Sequence, residues 1–234
     1  EIYTLYLHDA LPIWHDAAFF NMCRPLELVF ANGMDKGVQV GIQTGDVTKM
    51  NTFDEFYDAY KKQMEYCISL MVNADNAIDV AHAERCPLPF LASMVDDCLT
   101  RGLTAEQGGA VYNFTGPQGF GIANMADSLY AIRKLVYEDK KVSMETYKEA
   151  LAWNYDKGLD ERSVADMAEM ILKGMQDAGM TVNEGTAKAV LQTVMRLKPS
   201  DEQIQKFTEL HDMIDEVPKF GNAIDDVDYF ARRS

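Results

Sequence analysis

Three stretches of this sequence carry residues whose types and spacing could do chemistry. The first is the glycine-rich run GGAVYNFTGPQGFGIAN, Gly108–Asn124, in which Gly116, Gly119 and Gly121 precede a helical pattern. Backbone N–H groups there could converge on an anion. No Gly-Lys-Ser/Thr follows, and a dinucleotide fingerprint would need a third glycine in register and a preceding strand. The other reading is a tightly turned loop whose glycines supply positive φ or close backbone contact. The second stretch is His82, Glu84, Arg85 and Cys86 before Pro87-Leu88-Pro89. His82 and Cys86 are four apart and could share a helix face as metal ligands, but two ligands do not complete a site. A satisfied core histidine beside an ion pair is the alternative. The third is His15-Asp16 ahead of Ala17-Ala18-Phe19-Phe20. Asp16 could cap a helix, or stand as a carboxylate at a pocket rim that binds hydroxyl groups.

The elements that must position these residues are mostly helical. Thr52 followed by Glu55 forms a capping box. From there Phe53, Phe56, Tyr57, Tyr60, Met64, Cys67, Ile68 and Met71 recur at steps of three and four, which predicts one amphipathic helix over Thr52–Arg85, packed on a larger body. Pro87 disfavours its continuation. A second helix is predicted over Asp16–Asn32, interrupted by Pro25 and stopped by Gly33. Others are predicted over Leu91–Arg101, closed by Gly102, and over Ile122–Tyr137. After Ser143 about four short helices follow. Lys157-Gly158 is expected to end one and Ser163–Asp166 to open the next, with Gly179 closing it. Thr181/Glu184 and Ser200/Gln203 read as further capping boxes. Gly37–Gln43 is the plausible strand.

Composition narrows the class. The 234 residues include 22 Lys+Arg and 37 Asp+Glu, a formal net charge of −15. That balance is unfavourable for nucleic-acid phosphates and for anionic membranes. No stretch approaches the roughly 18 apolar residues of a membrane span. Cys23, Cys67, Cys86 and Cys98 form no C-x-x-C pair and no regular disulfide framework, so reduced thiols in a cytosolic setting are expected. At roughly 100–200 residues per domain the length alone suggests one large domain or two small ones.

Four blocks then make a resemblance visible. WHDAAFFN at Trp14–Asn21, AHAERCPLPF at Ala81–Phe90, GGAVYNFTGPQGFGIANMADSLYAI at Gly108–Ile132 and PKFGNAIDDVDYFAR at Pro218–Arg232 resemble glycyl radical enzymes of the pyruvate formate-lyase-like family, in the family's order. The first two are most similar to the glycerol and propane-1,2-diol dehydratase branch. Related branches cleave C–S or C–N bonds, and formate C-acetyltransferase is a more distant relative. The resemblance divides the chain into residues 1–13, a non-family segment that resembles translated adaptor sequence; 14–142, part of the pyruvate formate-lyase-like domain; 143–217, a helical insertion; and 218–234, where the domain continues.

The resemblance implies an α/β fold, a ten-stranded barrel wrapped in helices, of which this section is mainly α-helical with few short strands. It implies a glycyl radical installed by an S-adenosylmethionine iron–sulfur activating enzyme, and a cysteine thiyl radical that removes a substrate hydrogen. A Glu two residues after that cysteine acts as base, and a neighbouring hydroxyl leaves as water. Asp16 matches a carboxylate that binds substrate hydroxyls, which favours the pocket reading over the cap, and His15 is its neighbour with no firm role. Partners implied are a small-molecule substrate, the radical-SAM activating enzyme and a second subunit of the full-length enzyme; nucleic acid and membrane are not expected. The setting is the cytoplasm, or a bacterial microcompartment. The sequence departs from the family in two places. The Cys-Val-Glu triplet expected before Trp14 is replaced by EIYTLYLHDALPI, and no Arg-Val-x-Gly-Tyr loop occurs. The 234 residues therefore read as an internal section, inactive alone, with no catalytic residue and no metal site of its own. A rival of a different class is a complete acidic helical interaction module without catalysis.

Overall fold

The computed structural model describes residues 14–15, 18–154, 161–220 and 225–233. In chain order it contains β1 (Trp14–His15), β2 (Phe19–Asn21), α1 (Arg24–Phe30), β3 (Met34–Asp35), β4 (Val38–Gln39), α2 (Phe53–Arg85), α3 (Pro89–Ala92), α4 (Cys98–Arg101), β5 (Phe114–Thr115) and β6 (Gln118–Phe120). There follow α5 (Ile122–Ile132), α6 (Met144–Ala152), α7 (Glu161–Asp177), α8 (Glu184–Val194), α9 (Asp201–Glu216) and α10 (Asp225–Arg233). The section is mainly helical with few short strands, as the sequence suggests. The described residues contain three strand pairs and no closed barrel.

Local chemistry accounts for most boundaries. At α2 the Thr52 hydroxyl accepts from Glu55 N at 3.3 Å, and the Glu55 carboxylate accepts from Asn51 N at 2.8 Å. Ser200 and Gln203 form the reciprocal capping box at α9. Four expectations need correction. The predicted helix over Asp16–Asn32 is instead β2 and the seven-residue α1, with Pro25 in the first turn, where its missing N–H costs nothing. Leu91–Arg101 is two single turns, α3 and α4, separated by Asp97 at φ 70°. The cap of α8 is Asn183, whose side chain accepts from Thr186 N, rather than Thr181. The predicted strand over Gly37–Gln43 shrinks to a two-residue antiparallel pairing of β4 with β3. Ile122–Tyr137 is helical throughout, but widens to a π-helix at Arg133–Glu138. Lys157, Gly158 and the stretch around them lie outside the described residues.

The chain divides into two compact units, Glu1–Met22 with Cys67–Phe120, and Cys23–Tyr66 with Gly121–Ser234. In the first, β1 lies parallel to β5 and β2 parallel to β6, Phe20 facing Gly119. A small core of Ala92, Val95, Cys98, Ala105 and Ala110 holds the 92–110 segment. Large apolar side chains stay exposed, among them Phe19, Val80, Phe90, Met94 and Leu99.

The second unit holds the larger core, built on Phe56, Met125, Leu129, Ile132, Leu135, Phe207 and Phe230, all essentially inaccessible to water. Phe53 stacks edge-on against Tyr137 and Phe230, and Phe30 meets Phe56 and Tyr147. The apolar stripe of α2 is buried at Phe56, Tyr60 and Met64, whereas Ile68 is exposed. α10 packs on α5, and α7 packs on α8 around Val164, Ala168 and Val194.

Candidate functional site

The residues singled out for chemistry fall mainly in the first unit. The block Trp14–Asn21 lies beside Phe114–Phe120. Trp14 and His15 pair with Phe114 and Thr115, and Phe19–Asn21 pair with Gln118–Phe120. Asp16 falls in the link between β1 and β2, outside the described residues. His15 is described only as a strand position. Two blocks distant in sequence thus contribute parallel strand pairs, β1 with β5 and β2 with β6.

The glycine run follows its conformational reading. Gly108 and Gly121 hold φ of 80° and 82°, and Gly121 delivers the chain into α5. A side chain at Gly109 would strike the Leu103 carbonyl at 2.2 Å, and one at Gly119 would press on the Met22 sulfur at 3.3 Å. These glycines serve the close approach of backbone segments.

The His82–Phe90 block ends α2 and turns through Pro87. Cys86 N donates to the His82 carbonyl at 3.0 Å, so the two share a helix turn. Leu88 N donates to the buried Glu106 carboxylate at 3.2 Å, and Gln107 Nε2 donates to the Ala83 carbonyl at 3.4 Å. Glu106 and Gln107 therefore hold the turn, a role that no local pattern announces. Among the described residues no group of three or more His, Cys, Asp or Glu could hold a metal ion. No described helix is long and apolar enough to cross a membrane.

The second unit has its own cavity of about 900 Å³, walled by Leu26, Phe30, Met34, Ile132, Leu151 and Met167. Asp46 and Lys148 face each other there at 3.7 Å. The Asp46 carboxyl is held below the usual carboxylate range, chiefly by the Thr48 backbone N–H it accepts at 3.1 Å. Cys23, also on this cavity, has its thiol pushed up by burial and by Glu27, the opposite of an activated nucleophile. Burial likewise pushes the Tyr137 hydroxyl up to about 12.

Residues 11–234 match the family described as pyruvate formate lyase-like. This chain belongs to that family. Among solved structures, one of 1,2-propanediol dehydration in Roseburia inulinivorans superposes with a TM-score of 0.85. Its identity is 55%, over 94% of this chain and 26% of that one. The glycerol-bound, B12-independent glycerol dehydratase of Clostridium butyricum gives a TM-score of 0.67. There the identity is 36%, over 95% of this chain and 22% of that one. Among curated proteins, the trans-4-hydroxy-L-proline dehydratase of Clostridioides difficile is 36% identical over 140 residues, 59% of this chain and 18% of the relative. These relatives place the chain among the glycyl radical enzymes, on the glycerol and propanediol dehydratase-like branch. The pyruvate formate lyase-like chain spans about a quarter or less of the relatives it matches.

Proposed function

We propose that this chain is a section of a glycyl radical dehydratase that converts a small diol, propane-1,2-diol or glycerol, to an aldehyde and water. The observation that carries the reading is the 55% identity with the Roseburia inulinivorans protein of 1,2-propanediol dehydration, sustained over 94% of this chain. Overall the reaction removes one water from the diol without a net change of oxidation state. In the enzymes it resembles, a radical relayed from a glycyl residue to a cysteine takes one hydrogen atom from the substrate and returns it.

The part proposed for this section is substrate binding. Asp16, in the link between β1 and β2, is assigned to a carboxylate that accepts hydrogen bonds from the diol hydroxyls and orients them. Charge-assisted bonds of that kind are about twice as strong as neutral ones. His15 is kept as its neighbour. The radical itself is proposed to be installed by an S-adenosylmethionine iron–sulfur activating enzyme, on a homodimeric full-length protein in the cytoplasm or a bacterial microcompartment.

The test uses the full-length protein carrying this section, activated anaerobically and supplied with propane-1,2-diol or glycerol. Aldehyde formation with a glycyl radical signal by electron paramagnetic resonance is expected. Asp16→Asn should lower kcat/KM by roughly tenfold to a hundredfold, the loss of one charged hydrogen bond, with the radical signal unchanged. No aldehyde from either diol, despite a normal radical signal, would overturn the substrate class. An unchanged kcat/KM in the variant would overturn the role of Asp16. The 234-residue chain alone should give neither turnover nor signal.

A further inference from the structure

Phe220 N donates to the Asp127 carboxylate at 2.6 Å, across 93 residues of sequence. We propose that Asp127 is a positioning residue that sets the course of the segment leaving α9, up to Phe220, against α5. The assignment rests on geometry within the second unit and is independent of the diol reading.

Asp127 stands on a rigid platform. Its neighbours Met125, Ala126 and Leu129 are fully buried in α5. The segment it receives is short of donors of its own. Val217 N is used on the Ile214 carbonyl at 3.2 Å, and Pro218 has no N–H. The Lys219 ammonium also turns back onto the Ile214 carbonyl. Phe220 N is the donor that reaches forward to α5. Beyond it α10 packs on the same helix, with Val227 and Phe230 buried. That apolar contact is strong but non-directional, so it holds α10 on α5 without fixing how far the connection slides along it. A carboxylate bond at 2.6 Å is directional and charge-assisted. The division of labour follows: packing holds α10, and Asp127 fixes the register of the segment leading to it.

Hydrogen exchange read by mass spectrometry on the 234-residue chain separates the two roles. Asp127→Ala should speed exchange at Phe220 by about tenfold or more, with α10 and the interior of α9 unchanged. Asp127→Asn keeps a carbonyl acceptor but loses the charge, so its exchange should fall between the parent and Asp127→Ala. Unchanged exchange in Asp127→Ala would overturn the proposal. So would equal acceleration in both variants, since the retained acceptor would then hold nothing. Loss of α10 protection together with Phe220 would also overturn it, since Asp127 would then support packing rather than register. Should Asp127→Ala fail to fold, Asp127→Asn decides by NMR. The Phe220 amide proton should shift upfield from its parent position, and no shift would overturn the assignment.

Discussion

Gln63 is fully buried on α2, and its amide serves both backbone groups of one residue. Its Nε2 donates to the Ile42 carbonyl at 2.5 Å, and its Oε1 accepts from Ile42 N at 3.2 Å. The amide thus does for Ile42 what a neighbouring strand would do. It fits because Gly41 has no side chain; a Cβ there would lie 2.6 Å from Oε1. In Gln63→Leu both backbone groups of the half-buried Ile42 lose their partner. Each unsatisfied buried group costs about 1–3 kcal/mol, and the gain from an apolar side chain offsets part of it. A net loss of about 3 kcal/mol is expected, with fast amide exchange at Ile42. Gln63→Glu keeps the acceptor but sets a carboxylate against the Ile42 carbonyl. Burial raises the folded-state pKa of such a carboxyl, and its protonated form can donate to that carbonyl. Its deficit relative to the parent should therefore be smallest below the ordinary carboxylate range, grow as the pH rises toward that raised value, and level off above it. Urea unfolding of parent and variants at several pH values measures both effects. A Gln63→Leu chain within about 0.5 kcal/mol of the parent, or a Gln63→Glu deficit that does not change with pH, would refute the reasoning.

Other expectations follow from the same geometry. Gly33→Ala combines a φ of 79° with a Cβ 2.4 Å from the Ile42 carbonyl, so it should lose about 2–4 kcal/mol, read by thermal unfolding. Asp46 has a folded-state pKa below its unfolded value, so its contribution is present above the usual carboxylate range and lost as the pH falls through the depressed value. An Asp46→Asn chain should therefore match the parent at low pH and fall behind it near neutrality in paired urea titrations. The exposed Phe19, Val80, Phe90, Met94 and Leu99 of the first unit should bind a hydrophobic dye and promote concentration-dependent self-association, seen by light scattering. Phe90→Ser and Leu99→Ser together should reduce both.

Helices written in caps and stripes were legible in the sequence. α2 and α9 begin where their capping boxes stand, and Gly102 and Gly179 stop the chain with φ of 68° and 78°. Strands of two or three residues are too short for alternation to show, so Asp16–Asn32 reads as one helix by its apolar texture. Only the pairing with Gln118–Phe120 reveals Phe19–Asn21 as strand. Pro25 was a sound signal of interruption, yet its meaning as a helix start depended on where the preceding strand ended. Asp97 carries no mark of its left-handed turn. For the site, Asp16 is distinguished from a cap only by resemblance, because cap and pocket carboxylate share one spacing. Glu106, Gln63 and Asp127 left no local signal, and Gln107 showed only that of its capping box with Thr104. The partners of Glu106, Gln107, Gln63 and Asp127 named above lie 18, 24, 21 and 93 positions away, and such pairings come into being only with the tertiary fold.

The α7–α8 pair has a consequence for the way the chain comes apart. Val164, Ala168 and Val194, with Met167 and Val190 against them, form a cluster of their own. Over Gly37, whose φ is 75°, a side chain would lie 1.9 Å from the Glu169 carboxylate, so α7 reaches the β3–β4 hairpin by a close polar approach. Among the described residues these apolar contacts are few, which gives a low local opening energy, the mark of a separate foldon. Such a foldon can open and close many times within the lifetime of the larger core of the second unit. Its backbone would then be the first in that unit offered to a protease, while Phe56, Leu129 and Phe207 stay closed.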